Sequence, residues 1–169
     1  MLTKNFYSYM VAKLSDLNTS CVLIDGKQSE IKSNSSGTKV FAAMLKRSTN
    51  SADDKGGVLF GAGTAPATVQ DYKLDAPITT GLSIIFPNNL TYAKGNSFED
   101  VAVTYGVTNT SSSEITISEI GLVATIYISG NLYESILVDR TVLDTPVTIP
   151  AGESKQIAYT IRFNYGDAV

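Results

Sequence analysis

Apolar and polar residues alternate along most of the C-terminal part of the chain, between Val101 and Phe163. An alternation with a period of two is typical of β-strands that bury one face. Three clusters of turn residues interrupt the alternation, at 109–113, 129–131 and 150–153. Short strands separated by such turns predict an all-β chain folded as an antiparallel β-sandwich, of either jelly-roll or immunoglobulin-like type.

The N-terminal segment has a different spacing. Its apolar residues recur at helical intervals, at Tyr7, Met10, Val11 and Leu14. This spacing predicts a short amphipathic helix or arm over residues 1–17, although several aromatic residues there would also suit a strand. We expect the apolar face of this helix to pack on the sheet or on a neighbouring subunit.

The rest of the chain, residues 18–169, is predicted to form a single β-sandwich domain whose most regular part is 58–169. A short strand at Cys21–Ile24 should end at the turn formed by Asp25–Gly26. Three further segments complete this region: loops at 33–37 and 48–57, and an apolar stretch at 40–45 that suits a strand or a turn of helix.

Glycine and proline mark special positions in the C-terminal strands. Gly121 interrupts an alternating segment, which predicts a bulge or the close approach of another backbone. Pro146 and Pro150 have no backbone N–H to donate, so the strand that contains Pro146 should lie at a sheet edge. Residues 92–96 read as a turn.

The composition excludes several kinds of chemistry. The chain has no histidine, so no Ser-His-Asp or Cys-His arrangement is possible within it, and only a carboxylate-based hydrolase would remain among enzymes. The single cysteine, Cys21, allows neither an intrachain disulfide nor a cysteine zinc site and is expected to be buried. A net charge of −3 does not suit a nucleic-acid surface. We expect no catalytic residue, no cofactor, no metal, no membrane span and synthesis in a cytoplasm.

A glycine-rich segment, GAGTAP at residues 61–66, invites comparison with phosphate-binding loops. Such loops end in Gly-Lys-Ser/Thr or place a third glycine at the start of a helix, whereas position 66 is proline. We therefore interpret the segment as an exit from a strand where the backbone needs positive φ or close approach to another chain. Thr68 or Asp71 would then cap one helical turn or a tight turn around Asp71-Tyr72.

Three segments together resemble a group of small virion structural proteins of tailed bacteriophages and prophages. They are LTKNFY at residue 2, GAGTAPATVQDYKLDAPI at residue 61, and a C-terminal segment that contains VTYGVTNTSSSEITISEIGL and VDRTVLDTPVTIPAGESKQIAYTI. The resemblance implies a non-enzymatic part of a phage particle, in a head-fibre, decoration, neck or tail accessory position. It also implies a homo-oligomer, trimer or higher, that docks on capsid, portal, neck or tail proteins.

Two segments are the predicted docking surfaces, the N-terminal helix and the stretch 61–77. The candidate assembly contacts are Asn5, Phe6, Tyr7, Met10, Gly61, Gly63, Pro66, Tyr72 and Pro77. The alternative function is a sandwich that binds a host surface or a carbohydrate. Such a sandwich would carry exposed tyrosines clustered at one end, at Tyr92, Tyr105, Tyr127 and Tyr133.

Overall fold

The computed structural model describes residues 1–15, 17–32, 56–85, 90–129 and 132–164. The loops predicted at 33–37 and 48–55 and the apolar stretch at 40–45 lie outside these residues. The turn predicted at 129–131 lies mostly outside them as well.

One helix and nine strands lie in the described part of the chain. They are α1 (Lys4–Ser15), β1 (Thr19–Val22), β2 (Gln28–Ile31), β3 (Gly57–Gly61), β4 (Leu82–Ile85), β5 (Thr91–Lys94), β6 (Phe98–Asn109), β7 (Ile115–Ser129), β8 (Leu132–Ile149) and β9 (Ser154–Asn164). The pairs β1–β2, β3–β7, β4–β6, β5–β6 and β6–β9 are antiparallel. These elements confirm the predicted all-β sandwich class with a short N-terminal helix.

The chain divides into two compact units. The first contains Met1–Thr79 and Thr116–Thr148, and the second contains Thr80–Ile115 and Ile149–Val169. The division predicted from the sequence, an arm at 1–17 and one sandwich domain at 18–169, stays a prediction.

The first unit contains a three-stranded sheet in the order β3-β7-β8, the β1–β2 hairpin and α1. Every residue of the stretch 117–124 in β7 is buried, so both faces of this central strand are covered. β8 lies at the end of the sheet order, which confirms the edge position predicted from Pro146. Cys21 is buried as expected, and burial raises the pKa of its thiol to about 11.

Helix α1 forms as predicted but turns a different face inward. Its buried residues are Asn5, Phe6, Tyr9 and Ala12. Of the predicted stripe, Tyr7, Val11 and Leu14 are exposed and Met10 is half-buried. The side chain of Asn5 fixes the rotation, because its amide donates to the Val22 carbonyl (2.7 Å) and accepts from the Val22 N–H (2.9 Å). These two hydrogen bonds add to the burial of Phe6, Tyr9 and Ala12 in favouring this orientation.

The second unit is a four-stranded sheet around β6. β9 pairs with β6 along its whole length, while β4 and β5 share the other edge of β6. The buried apolar face of β6 and β9 consists of Val103, Tyr105, Val107, Ile157 and Tyr159. Residues 156–161 of β9 alternate between exposed and more buried as the sequence pattern predicts, whereas Phe163, which belongs to the same apolar alternation, is 43% exposed.

Several local predictions can be compared with the structure. The turn at 150–153 is confirmed, with Gly152 at φ 77° and the Glu153 N–H donating to the Pro150 carbonyl (3.1 Å). The Asp25–Gly26 turn is also confirmed, although β1 begins and ends two residues earlier than predicted. The turn predicted at 92–96 was wrong in its first half, because Thr91–Lys94 pairs with β6 as strand β5.

No helix in the described part of the chain has both the length and the apolar character that a membrane crossing requires.

Candidate functional site

Residues 61–77, which we call the 61–77 loop, leave the end of β3 and return to it. Gly61 and Pro77 form an antiparallel bridge. The Ala62 N–H donates to the Ala76 carbonyl (2.8 Å), and the Ile78 N–H donates to the Phe60 carbonyl (2.9 Å). The two ends of the loop are therefore held together by backbone hydrogen bonds.

Glu119 of β7 ties both arms of the loop to the sheet. Its Oε1 accepts from the N–H groups of Gly63 (3.2 Å) and Ala76 (2.7 Å), and its Oε2 accepts from the Asp75 N–H (3.1 Å). The side chain of Glu119 has no exposed surface. A buried carboxylate thus supplies the acceptors that the loop backbone would otherwise lack.

Arg140 of β8 connects Glu119 to the tip of the loop. Its Nε donates to Glu119 Oε2 (2.7 Å), its Nη1 to Asp71 Oδ2 (2.8 Å) and its Nη2 to the Ala65 carbonyl (3.0 Å). Arg140 is 3% exposed. We call Asp71, Glu119 and Arg140 the charged triad. Within it, one guanidinium pairs with two carboxylates and fixes the loop backbone at the same time.

The tip of the loop is closed by a local turn. The Asp71 carboxylate accepts from the Thr68 N–H (2.9 Å) and from the Thr68 hydroxyl (2.8 Å), while the Asp71 N–H donates back to the Thr68 carbonyl (3.2 Å). Asp71 caps a turn as the sequence predicts, but the turn spans residues 68–71, before the predicted position at Asp71-Tyr72. The Lys4 N–H at the start of α1 donates to the Val69 carbonyl (2.7 Å). The two predicted docking segments therefore touch each other.

Glycines allow the loop to lie against the sheet. A Cβ at position 63 would lie 2.6 Å from Glu119 Oε1, and one at position 61 would lie 2.8 Å from the Ala76 carbonyl oxygen. Neither glycine has positive φ, so close approach is the reason for glycine at both positions. The close neighbours belong to this chain and include a carboxylate, where the sequence suggested another chain.

The apolar side of the loop is anchored by Leu74, which is 2% exposed. A Cβ at position 121 would lie 2.7 Å from Leu74 Cδ2 and 2.9 Å from Leu137 Cδ1. A close approach therefore occurs at Gly121, but it is made by the side chains of Leu74 and Leu137, where the sequence suggested another backbone. The predicted bulge was wrong for the β3–β7 pairing, because its register runs unbroken from Gly57↔Val123 to Gly61↔Glu119.

The nine candidate contacts divide by exposure. The buried ones are Asn5, Phe6, Gly61 and Gly63, the half-buried ones are Met10 and Tyr72, and the exposed ones are Tyr7, Pro66 and Pro77. The buried residues position the two segments, and the exposed ones lie at their surface. From the sequence, Asp71 was expected only to cap a turn, and no special role was predicted for Glu119 or Arg140. The sequence feature that could have indicated them is a charged residue next to apolar ones: Glu119 lies in ISEIGL, and Arg140 ends ILVDR.

The charged triad is ionised in the folded state. Burial alone would raise the pKa of Glu119, but the Ala76 and Asp75 N–H groups and Arg140 outweigh it and hold that pKa below its usual range. Burial likewise opposes ionisation of Asp71, and its pKa is nevertheless lowered by the Thr68 N–H and by Arg140. Two carboxylates with lowered pKa values are poor proton donors near neutral pH.

The two lowered pKa values predict a loss of stability in acid. Because both folded-state values lie below the unfolded ones, about 4.3 for Glu and 3.9 for Asp, the contribution is complete at neutral pH. It is lost as the pH falls through the folded-state values. We expect urea unfolding of the wild-type chain to show a steeper decrease between pH 5 and about pH 2 than unfolding of Glu119→Gln. Equal pH dependence in the two proteins would contradict the assignment.

Within the described residues, no group of three Asp, Glu, His or Cys side chains is arranged to hold a metal ion. Comparison with protein-family models, with curated proteins and with solved structures found no match to the chain.

Proposed function

We propose that this chain is a non-enzymatic virion structural protein of a tailed phage or prophage. It associates with copies of itself and docks on head, neck or tail proteins through the 61–77 loop and the adjoining helix α1. The resemblance of three sequence segments supports the virion assignment. The observation that carries the docking role is the buried charged triad, which holds a surface loop in one conformation.

The energetics of the charged triad favour a role in positioning the backbone of the 61–77 loop. Taking charges out of water costs several kcal/mol per ion, and a buried ion pair is often no more stabilising than well-packed apolar residues of similar volume. Here the three side chains also supply acceptors and donors to the backbone at Gly63, Ala65, Asp75 and Ala76. What they add is a fixed backbone for the loop.

A fixed loop is suited to docking because less conformational entropy is lost when a partner binds. Between Gly61 and Asp71 the exposed residues of the loop are Ala62, Thr64, Ala65, Pro66, Thr68, Val69 and Gln70, and the exposed charges Lys73 and Asp75 lie beyond them. The exposed residues before Asp71 are small or neutral, and Val69 is 41% exposed. This surface can pack closely against a partner without burying an unpaired charge.

The outer face of α1 extends this surface with apolar side chains. Leu14 is 80% exposed, Tyr7 54% and Val11 48%. Positions 7, 11 and 14 share one side of a helix. Contiguous exposed apolar residues are typical of interaction sites. Because Lys4 bonds to Val69, the helix and the loop tip form neighbouring parts of one region.

The rival functions fit the described residues less well. A carboxylate-based hydrolase needs one acid that stays protonated, whereas Asp71 and Glu119 are both ion-paired with Arg140. The carbohydrate-binding alternative needs exposed tyrosines, and Tyr105 is fully buried while Tyr92 is exposed. The side chains of Tyr127 and Tyr133 lie outside the described residues.

The docking role predicts loss of the chain from phage particles when the loop tip is altered. In particles of the phage or prophage that encodes it, we expect Val69→Asp to lower incorporation at least about 10-fold, the effect of a charge in an interface core. The matched control is Ile85→Asp in the second unit, because Ile85 is also β-branched and is 69% exposed. Both variants should unfold at the wild-type temperature.

Quantitative mass spectrometry of purified particles, with the major capsid protein as reference, measures the effect. Absence of the wild-type chain from particles would overturn the virion assignment. Incorporation of Val69→Asp at the wild-type level would overturn the docking role of the loop.

A further inference from the structure

Strand β9 lies at the edge of its sheet. It pairs with β6 along its full length, from Phe98↔Asn164 to Thr108↔Ser154. None of the strands in the described ranges pairs with its opposite side. The strand has eleven residues and spans about 37 Å, well beyond the usual five or six residues.

The hydrogen bonds at the C-terminal end of β6 show which backbone groups of β9 face away from β6. The Asn109 N–H donates to the Glu153 carbonyl (2.9 Å), so odd-numbered residues of β6 and β9 bond to each other. On the opposite edge of β6 the Thr110 N–H donates to the Gly81 carbonyl (2.8 Å), which agrees with this alternation. The outer edge of β9 therefore presents the N–H and C=O groups of Ser154, Gln156, Ala158, Thr160, Arg162 and Asn164.

This edge carries few of the features that usually prevent pairing with another chain. β9 contains neither proline nor glycine, and its register with β6 has no bulge. The guanidinium of Arg162 is held by the Asp100 carboxylate through two hydrogen bonds (both 2.8 Å) and stacks 4.0 Å from the Phe98 ring. Its charge is thus partly compensated within the chain. Lys155, near one end of the strand, is the other charge on β9.

Tyr159 is the middle residue of β9, and Ile157 and Ile161 lie at equal distances on either side of it. Ile157 and Tyr159 are buried and Ile161 is half-buried on the same face of the sheet. An antiparallel copy of the strand centred on Tyr159 would therefore place isoleucines opposite each other on this face. The remaining pairs would be Ala158 with Thr160, Gln156 with Arg162, and Lys155 with Phe163.

We infer that β9 pairs antiparallel with β9 of a second copy of this chain, across a two-fold axis at Tyr159. This inference rests on the self-association in the proposed function. Ile157 would lie opposite Ile161 of the partner subunit, and Gln156 opposite Arg162 of the partner subunit. No like charges face each other, and all outward N–H and C=O groups of β9 find partners. The contact joins two four-stranded sheets into one.

A two-fold contact also limits the size of the assembly. Because each β9 binds one other β9, every assembly built through this contact has an even number of chains. The trimer or larger oligomer expected from the sequence would accordingly be a tetramer, a hexamer or another even-numbered form.

Charge variants of Gln156 test the pairing. In the inferred register, Gln156→Lys places a lysine opposite Arg162 of the partner subunit at two symmetric positions, and Gln156→Glu places a glutamate there. We expect Gln156→Lys to weaken dimerisation about 2- to 30-fold and Gln156→Glu to strengthen it. Sedimentation equilibrium of the full chain measures both dissociation constants. Shifts in the same direction, or no shift, would overturn the inference.

A proline variant provides a second readout. Thr160→Pro removes an N–H that faces the outer edge, so the β6–β9 ladder keeps its hydrogen bonds. We expect light scattering to give the monomer mass of 18.0 kDa for this variant and twice that mass or an even multiple for the wild type. If the wild-type chain is a monomer but is still incorporated in particles, the β9 pairing is wrong and the virion assignment stands. If the chain is a dimer, the two Gln156 variants shift its dissociation constant in opposite directions and the chain is absent from particles, the virion assignment is wrong and the pairing stands.

Discussion

Replacing Arg140 with methionine is expected to lower the free energy of unfolding by about 3–5 kcal/mol. The variant leaves Glu119, which has no exposed surface, as a buried charge without its ion-pair partner. It also leaves the Ala65 carbonyl without the donor from Arg140. Urea unfolding at neutral pH, followed by circular dichroism, measures the change.

Arg162→Met is the matched control. Arg162 makes two hydrogen bonds to Asp100, as Arg140 does to its two carboxylates, but its side chain is 53% exposed. Exposed ion pairs contribute little, so the unfolding midpoint of this variant should stay near the wild-type value. Equal effects of the two substitutions would show that burial of the charged triad has no energetic consequence.

A double variant separates the effect of the buried charges on stability from the effect of side-chain packing. Combining Arg140→Met with Glu119→Gln removes both charges, so the double variant should lose less stability than the two single variants added together. The amides of Gly63, Asp75 and Ala76 should exchange faster with solvent in every variant that lacks the Glu119 carboxylate, since those amides donate to it. Additive losses would mean that Glu119 and Arg140 act independently.

Leu74→Ala is expected to destabilise the chain by about 2–5 kcal/mol. Leu74 is 2% exposed, and its side chain occupies the space that the absent Cβ of Gly121 leaves free. Truncation creates a cavity under the 61–77 loop and removes the main apolar contact that holds the loop on β7.

Leu59→Ala serves as the control for this second prediction, because Leu59 belongs to the same unit and is 39% exposed. Its truncation should cost much less, since a half-exposed leucine leaves no closed cavity. Thermal unfolding of both variants, combined with hydrogen exchange at the loop amides, makes the comparison. A Leu59→Ala loss as large as that of Leu74→Ala would contradict the anchoring role of Leu74.

The strands were predictable because the alternation in β6 and β9 is a local property of the sequence. The turns at Asp25–Gly26 and at 150–153 were predictable for the same reason, since glycine and proline restrict the backbone locally. The orientation of α1 was not predictable from the sequence, because the helix has two apolar stripes. Phe6, Tyr9 and Ala12 form one stripe, and Tyr7, Val11 and Leu14 form the other. The choice between them is made by Asn5 bonding to Val22, a contact that no helical periodicity contains.

The candidate site was predictable only in part. The glycines at 61 and 63 correctly indicated a close approach, because a missing side chain is visible in the sequence. The approaching group was not visible, since Asp71, Glu119 and Arg140 come from separate parts of the chain and meet only through the pairing of β3, β7 and β8. A charge within an apolar strand indicates that a partner exists, but it does not identify that partner.

The discontinuous make-up of the first unit has a consequence for the newly synthesised chain. Residues 80–115 separate its two segments, and Arg140 lies near the end of the second one. Residue 140 must therefore leave the ribosome before the guanidinium can reach Asp71. Until then the 61–77 loop lacks the Arg140 hydrogen bonds that hold its tip. We expect nascent chains truncated before residue 140 to be protease-sensitive at this stretch, so that the loop becomes ordered only after Arg140 has been synthesised.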